Sequence, residues 1–115
     1  MHMKDYLVII PAYNEEKAIG DVLSGIIANG YLQLVDVLVI NDASSDGTAD
    51  VVKSFEQVNL ITHVFNLGYG SSLQTGYRYA LQHGYKFVLQ MDADGQHDVC
   101  NIKILIDALN SPDEN

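Results

Sequence analysis

The stretch MDADGQHD places three aspartates and a histidine within eight residues, directly after the apolar run KFVLQ. Asp92 and Asp94 are two positions apart, so at the end of an extended strand their side chains point the same way. Neighbouring carboxylates repel each other, but their hard oxygens hold divalent cations such as Mg²⁺ or Mn²⁺. Gln96 or His97 could add a ligand. The alternative is a solvated turn in which Asp98 caps the next helix.

Two further polar segments also follow apolar runs. In NDASSDGT, the Asp42 carboxylate could accept hydrogen bonds from a nucleotide base or ribose. The alternative is ordinary turn chemistry, because Asn, Asp, Ser and Gly dominate turns, and Asp46 suits the negative charge preferred at a helix N-terminus. In PAYNEE, Tyr13 offers a flat face for a base. Glu15 and Glu16 are equally suited to the first turn of a helix.

The segment NLGYGSSLQTG contains glycines at positions 68, 70 and 76. Their spacing does not match the G-x-G-x-x-G dinucleotide fingerprint, which also belongs after the first strand. A glycine turn that leads into a helix can bind phosphate through backbone N–H groups, but a tight turn with close helix packing explains the pattern at least as well. His63, His83 and Cys100 are interpreted as structural residues.

Four apolar runs precede these polar segments and predict the strands that position them. The runs are YLVII (6–10), VDVLVI (35–40), VNLITHVF (58–65) and FVLQM (87–91). They are continuous rather than alternating, which is typical of strands buried on both faces. Helical patterns lie between the strands at about 15–29, with Asn14 as N-cap, and at about 48–56, 71–83 and 102–110.

The order βαβαβαβα predicts an α/β fold with a parallel sheet flanked by helices and right-handed crossovers. The carboxyl ends of parallel strands lie at the same edge of a sheet. Open α/β sheets bind ligands at that edge. The four polar segments are therefore expected to converge on one crevice.

Composition narrows the function further. The chain has 115 residues with 48% hydrophobic residues, enough for one domain with a core. A net charge of -9 argues against nucleic acid or an anionic membrane as partner. A single cysteine fits a reducing compartment. No apolar run approaches the roughly 18 residues that span a bilayer, and no signal peptide is visible. A cytoplasmic protein, or one at the cytoplasmic face of a membrane, is expected.

Taken together, VIIPAYNEE, VLVINDASSDGT, NLGYGSSLQTGYRYA and VLQMDADGQH resemble the nucleotide-sugar-binding half of family-2 glycosyltransferases, which have the GT-A fold. The similarity is greatest to the polyprenyl-phosphate branch, typified by dolichol-phosphate mannose synthase. It covers nearly the whole chain. It implies that residues 1–115 form the nucleotide-sugar-binding portion of a glycosyltransferase domain, with strands ordered 3-2-1-4.

The resemblance also implies a site and its ligands. The implied nucleotide-binding residues are Pro11, Ala12, Tyr13, Glu15, Asp42, Asp92 and Ala93. The implied ligands of Mg²⁺ or Mn²⁺ are Asp92 and Asp94, which form a D-x-D motif, and Gln96. The donor would be a UDP-sugar or GDP-sugar. The reaction would be inverting hexosyl transfer to a polyprenyl phosphate or a saccharide.

Some features depart from the family pattern. Gln74 stands where many relatives carry a basic residue, and Asp98 stands where proline is frequent. In the family, the acceptor site and the catalytic carboxylate follow the part of the sequence that these residues resemble. The fragment alone is thus expected to be inactive, and its catalytic residue is unknown. The fourth strand is expected to be an exposed edge that favours self-association.

Two other functions fit the aspartates. In a phosphatase of the haloacid dehalogenase type, Asp92 would be the nucleophile and Asp94 the acid/base. A non-catalytic nucleotide-binding module would share every binding residue and lack turnover.

Overall fold

The four apolar runs form the four strands of one parallel sheet, in the order β3-β2-β1-β4. The computed structural model describes residues 4–95, 99 and 101–110. The strands are β1 (Tyr6–Ala12), β2 (Val35–Asn41), β3 (Asn59–Thr62) and β4 (Phe87–Gln90), and the helices are α1 (Glu16–Ala28), α2 (Thr48–Lys53), α3 (Tyr69–His83) and α4 (Asn101–Leu109). The predicted fold class and strand order are confirmed.

The apolar residues of β1 divide between two cores, because successive residues of a strand face opposite sides of the sheet. Val8 and Ile10 pack in the core that includes residues of α1, α2 and α4. Leu7 and Ile9 pack on the other face with Ala80 of α3. The central strands are therefore covered on both sides, which explains their continuous apolar sequences.

The edge strands are shorter than the sequence predicts. β3 covers four residues, and Val64 and Phe65, which were expected to extend it, are 85% and 73% exposed. An edge strand has a neighbour on one side only, so less of its length is held by pairing. β4 is the opposite edge, and self-association through it stays a prediction. No helix in the described part of the chain is long and apolar enough to cross a bilayer.

β1 is longer than predicted, because it continues through Pro11 to Ala12. The pairing between β1 and β4 ends at Ile9 and Gln90, whereas the pairing with β2 continues to Ala12. Pro11 lies beyond the last β1–β4 pair, so its missing N–H removes no bond to β4. The strand thereby carries Pro11 and Ala12 to the edge where the polar segments meet.

Gly76 allows α3 to lie directly against β1. A Cβ atom at Gly76 would stand 2.6 Å from Cγ2 and 2.7 Å from Cδ1 of Ile9, a residue with no solvent exposure. We expect Gly76→Ala to lower the free energy of unfolding by about 1–3 kcal/mol, as overpacking does. This loss should appear although alanine in a helix is normally favoured over glycine by about 1 kcal/mol.

Gly70 provides the matched control in the same helix, since a Cβ there would have no neighbour within 4 Å. Gly70→Ala is expected to leave stability unchanged or slightly higher. Urea unfolding of the two variants and the unmodified chain measures the difference. Equal midpoints for the two variants would contradict the close packing of Gly76 on Ile9.

Candidate functional site

The carboxyl ends of all four strands border one cavity of about 460 Å³. Its lining comes from the end of β1, from the segments after the four strands and from the first turn of α3, namely Pro11, Ala12, Tyr13, Glu15, Asp42, Asn66, Gly68, Tyr69, Ser72, Asp92, Ala93 and Asp94. Eight of the nine sequence-predicted site residues are in this set. The ninth, Gln96, lies outside the residues that the structure describes.

Asn14 joins the loop after β1 to the loop after β2. Its backbone N–H donates to Ser44 Oγ at 2.9 Å, and its Oδ1 accepts from the Ser45 N–H at 2.8 Å. Asn14 has a φ of 54°, a left-handed conformation that asparagine tolerates better than most residues. The prediction that Asn14 caps α1 is wrong, because Glu15 occupies the N-cap position and makes no side-chain cap bond.

Asp46 holds the beginnings of two helices, in agreement with its predicted role. Its Oδ1 accepts from the Thr48 N–H at 3.0 Å, and its Oδ2 accepts from the Glu16 N–H at 3.2 Å. The hydrogen bond from the Thr48 hydroxyl is the main influence that lowers the pKa of Asp46. In return, Glu16 Oε1 accepts from the Gly47 N–H at 3.0 Å. These contacts fix the rim of the cavity formed by the first two loops.

Asp42 organises the part of the cavity next to the turn that leads into α3. The carboxylate is buried, with the residue 3% exposed. Its Oδ1 accepts from the Leu67 N–H at 2.9 Å and lies 2.8 Å from His63 Nδ1, and its Oδ2 accepts from the Gly68 N–H at 2.8 Å. Burial alone would raise the pKa of Asp42, but the hydrogen bonds from His63 and the two amides outweigh it and lower the pKa. Asp42 is therefore an ionised side chain that holds the turn leading into α3.

Ser72 lies on the α3 side of the cavity with its hydroxyl buried. The residue is 1% exposed, and Oγ has no hydrogen-bond partner within the described part of the chain. Leaving such a group unpaired costs about 1–3 kcal/mol.

Three residues of this wall were not singled out from the sequence: Asn66, Tyr69 and Ser72. The segment that contains them was recognised as a glycine turn with a possible phosphate role, but nothing in it distinguishes the residues that face the cavity. Asn66 Nδ2 donates to the Asp42 backbone carbonyl at 3.1 Å. The useful signal was therefore the position of the segment after a strand, not its individual residues.

The other side of the cavity is acidic. Glu15, Asp92 and Asp94 line it, and no lysine or arginine is among the described lining residues. Burial is the largest influence that raises the pKa of Glu15, followed by the negative charges of Asp94 and Asp46. A negative potential of this kind favours a bound cation.

The chemistry of these acidic residues fits a divalent cation that is only partly coordinated by protein. Within the described ranges, no three His, Cys, Asp or Glu side chains are arranged as a ready ion site. Mg²⁺ commonly takes one or two carboxylates from the protein and completes its shell with phosphate oxygens and water. The carboxylates of Asp92 and Asp94 are groups of that type.

Comparisons with solved structures define the class of protein. A mannosyltransferase from Pyrobaculum calidifontis, solved in complex with GDP-Man and Mn²⁺, aligns over 94% of this chain and 33% of its own, with a TM-score of 0.75 and 25% identity. TarS from Staphylococcus aureus, solved with UDP-GlcNAc, aligns over 94% of this chain and 31% of its own, with a TM-score of 0.75 and 26% identity. The fold is thus the GT-A fold of glycosyltransferases.

The sequence comparisons specify the family. The profile of glycosyl transferase family 2 matches residues 7–115, and the chain belongs to this family. A UDP-N-acetylglucosamine–dolichyl-phosphate N-acetylglucosaminyltransferase from Methanococcus voltae is 31% identical over 113 residues, which cover 83% of this chain and 44% of the relative. A 4,4'-diaponeurosporenoate glycosyltransferase from Staphylococcus aureus is 42% identical over 71 residues, 60% of this chain and 18% of the relative. The chain spans less than half the length of these relatives.

Proposed function

We propose that residues 1–115 form the nucleotide-sugar-binding portion of a glycosyltransferase domain. The portion binds a UDP-sugar or GDP-sugar together with Mg²⁺ or Mn²⁺, for inverting hexosyl transfer to an acceptor. The observation that carries the proposal is the arrangement of the cavity, with the buried Asp42 on one wall and Asp92 and Asp94 on another. Membership of a glycosyltransferase family supports the same reading.

The nucleoside is assigned to the wall formed by Tyr13, Asp42 and Ser72. Tyr13 is 49% exposed and lines the cavity, so its ring is available for stacking on a base. Asp42 Oδ1 already accepts two hydrogen bonds, whereas Oδ2 accepts one and so retains a lone pair for a contact to a base. The cavity volume of about 460 Å³ suits a ligand of this size. Pro11 and Ala12 complete the contact surface at the end of β1.

The diphosphate is assigned to the acidic side of the cavity. Asp92, Asp94 and Gln96 would hold the cation, with Ala93 between the aspartates and Glu15 on the same side of the cavity. When bound, Mg²⁺ or Mn²⁺ supplies Lewis-acid stabilisation of the nucleoside diphosphate as leaving group. The aspartates hold the positive charge of the cation at the strand end. Without the cation, the acidic cavity would repel the anionic donor. The complex of the Pyrobaculum mannosyltransferase with GDP-Man and Mn²⁺ supports this assignment.

The acceptor is proposed to be a polyprenyl phosphate or a saccharide. A relative whose name specifies dolichyl phosphate supports the former. A phosphate acceptor is already ionised, so it needs no strong general base, whereas a hydroxyl acceptor needs one. Reaction at the cytoplasmic face of a membrane would bring a lipid-linked acceptor to this domain. The phosphatase alternative has no support from the family match.

The experiment that tests this function is calorimetric titration of the chain with UDP and GDP in the presence of Mn²⁺. We expect one of the two to bind. Tyr13→Ala should weaken binding of that nucleotide by about 1–3 kcal/mol, the usual contribution of an aromatic ring stacked on a base. Tyr13→Phe is the matched control, because it retains the ring and should retain affinity. Failure of both nucleotides to bind would overturn the proposed function.

A further inference from the structure

His63 links the end of β2 to the first turns of α3. Its Nδ1 lies 2.8 Å from Asp42 Oδ1, and its Nε2 lies 2.8 Å from Thr75 Oγ1. The side chain is 10% exposed and is not among the residues that line the cavity. The backbone N–H of His63 also donates to the Asn41 carbonyl at 2.9 Å. The ring is therefore held at both nitrogens behind the wall of the cavity.

The hydrogen bonds of this group are complete for either charge of the imidazole. Asp42 accepts from Nδ1–H, which leaves Nε2 to face the Thr75 hydroxyl. With a neutral ring, the hydroxyl donates to Nε2. With a charged ring, Nε2–H donates to the hydroxyl, which then donates to the Ser71 carbonyl at 3.0 Å. In both cases Nδ1–H remains on the carboxylate of Asp42.

The carboxylate of Asp42 transmits this constraint to the cavity. It accepts hydrogen bonds from the backbone amides of Leu67 and Gly68, which immediately precede α3. Gly68 has a φ of 99°, so the turn has a backbone conformation that only glycine adopts readily. A carboxylate that rotated away from the turn would leave the N–H groups of Leu67 and Gly68 without this acceptor.

We propose that His63 is a positioning residue for nucleotide binding: it fixes the Asp42 carboxylate and the Thr75 hydroxyl together, and so preorganises Asp42 within the wall assigned to the nucleoside, formed by Tyr13, Asp42 and Ser72. The inference rests on the proposed function, because it assigns this wall to the nucleotide. His63 touches no ligand in this arrangement. It acts by removing the cost of ordering the turn when a nucleotide binds.

Two substitutions separate the contacts of the ring. The amide nitrogen of asparagine lies near the place of Nδ1, and that of glutamine near the place of Nε2. His63→Asn therefore retains a donor for Asp42 and gives up Thr75, whereas His63→Gln does the reverse. His83→Asn is the control, because His83 is an exposed histidine at the end of α3, where its ring stacks on Tyr79.

The first measurement is amide hydrogen exchange of Leu67 and Gly68 in the chain without nucleotide. His63→Gln should speed the exchange of both amides, whereas His63→Asn and His83→Asn should leave it near that of the unmodified chain. The second measurement is the affinity for UDP and GDP with Mn²⁺. His63→Gln should weaken binding by about tenfold, equivalent to the loss of one hydrogen bond to a charged group. His63→Asn should restore most of this affinity.

The outcomes distinguish the two levels of inference. The role of His63 would be overturned if His63→Gln left amide exchange and nucleotide affinity unchanged. It would also be overturned if the Gln and Asn variants lost the same affinity, since a residue that merely fills space shows no difference between them. Altered amide exchange in a chain that binds neither nucleotide would overturn the proposed function, and with it the assignment of this wall to a nucleotide.

Discussion

Asp94→Asn is expected to remove most of the metal-dependent affinity for nucleotide, with a loss of about 10- to 100-fold, or about 1.4–2.8 kcal/mol, in the presence of Mn²⁺. Asparagine retains the shape of the side chain and loses the negative charge that a hard cation requires. Asp94 is exposed and lines the cavity, so the substitution is expected to leave the hydrophobic core intact. Calorimetry with UDP and GDP, in Mn²⁺ and in EDTA, measures the effect.

The matched control is Asp50→Asn, which makes the same change of charge at an exposed position in the first turn of α2. It should leave both the affinity and its metal dependence as they are in the unmodified chain. Removal of the metal by EDTA should reduce the affinity of the unmodified chain to the level of Asp94→Asn. Equal nucleotide affinity in Mn²⁺ and EDTA would rule out a metal at this site.

The 115-residue chain is expected to bind a nucleotide sugar and yet transfer little or no sugar to an acceptor. The walls of the cavity are proposed to contact the base, ribose and diphosphate of the donor. Transfer additionally requires the acceptor oxygen to be held against the anomeric carbon, and binding the donor does not by itself lower that barrier. The chain aligns with 33% of the length of the Pyrobaculum mannosyltransferase and with 44% of the length of the dolichyl-phosphate enzyme. Most of each relative therefore lies outside the aligned part and is available to position an acceptor.

The assay is transfer of radiolabelled sugar from UDP-sugars and GDP-sugars to polyprenyl phosphate and to saccharides, with Mn²⁺ present. Slow hydrolysis of the donor is compatible with the expectation, because water can enter an open site. Release of phosphate from a generic phosphate ester would instead support the phosphatase chemistry of Asp92 and Asp94. Transfer that is robust and proportional to the amount of chain would show that the catalytic machinery lies within these residues.

The architecture could be predicted from the sequence because it depends on patterns that are local. Continuous apolar runs identify the strands, and intervening helical periodicity makes the sheet parallel. Parallel geometry then brings four separate polar segments to one edge. For this reason Asp42 is predicted to lie at the same edge of the sheet as Asp92 and Asp94, although a long stretch of sequence separates it from them.

The contacts that organise the site could not be predicted in this way, because they join positions that no local pattern relates. His63 is 21 residues from Asp42 and lies in what reads as an apolar strand, so its bond to the carboxylate has no sequence signal. Asn14 reads as an N-cap because asparagine commonly fills that position. Its side chain instead bonds Ser45, 31 residues away. Pro11 reads as a strand end, and only the shorter pairing of β4 shows why β1 can continue through it.

The loops after β1 and β2 are joined by hydrogen bonds, so they must be exchanged together when two related sequences are recombined. A recombination breakpoint between Glu16 and Asn41 would pair one parent's Asn14 with the other parent's Ser44 and Ser45. It would also separate Glu16 from Gly47 and Asp46, which exchange hydrogen bonds with it at 3.0 and 3.2 Å. Chimeras intended to change donor preference would therefore keep both loops from one parent, with breakpoints placed before β1 and after α2.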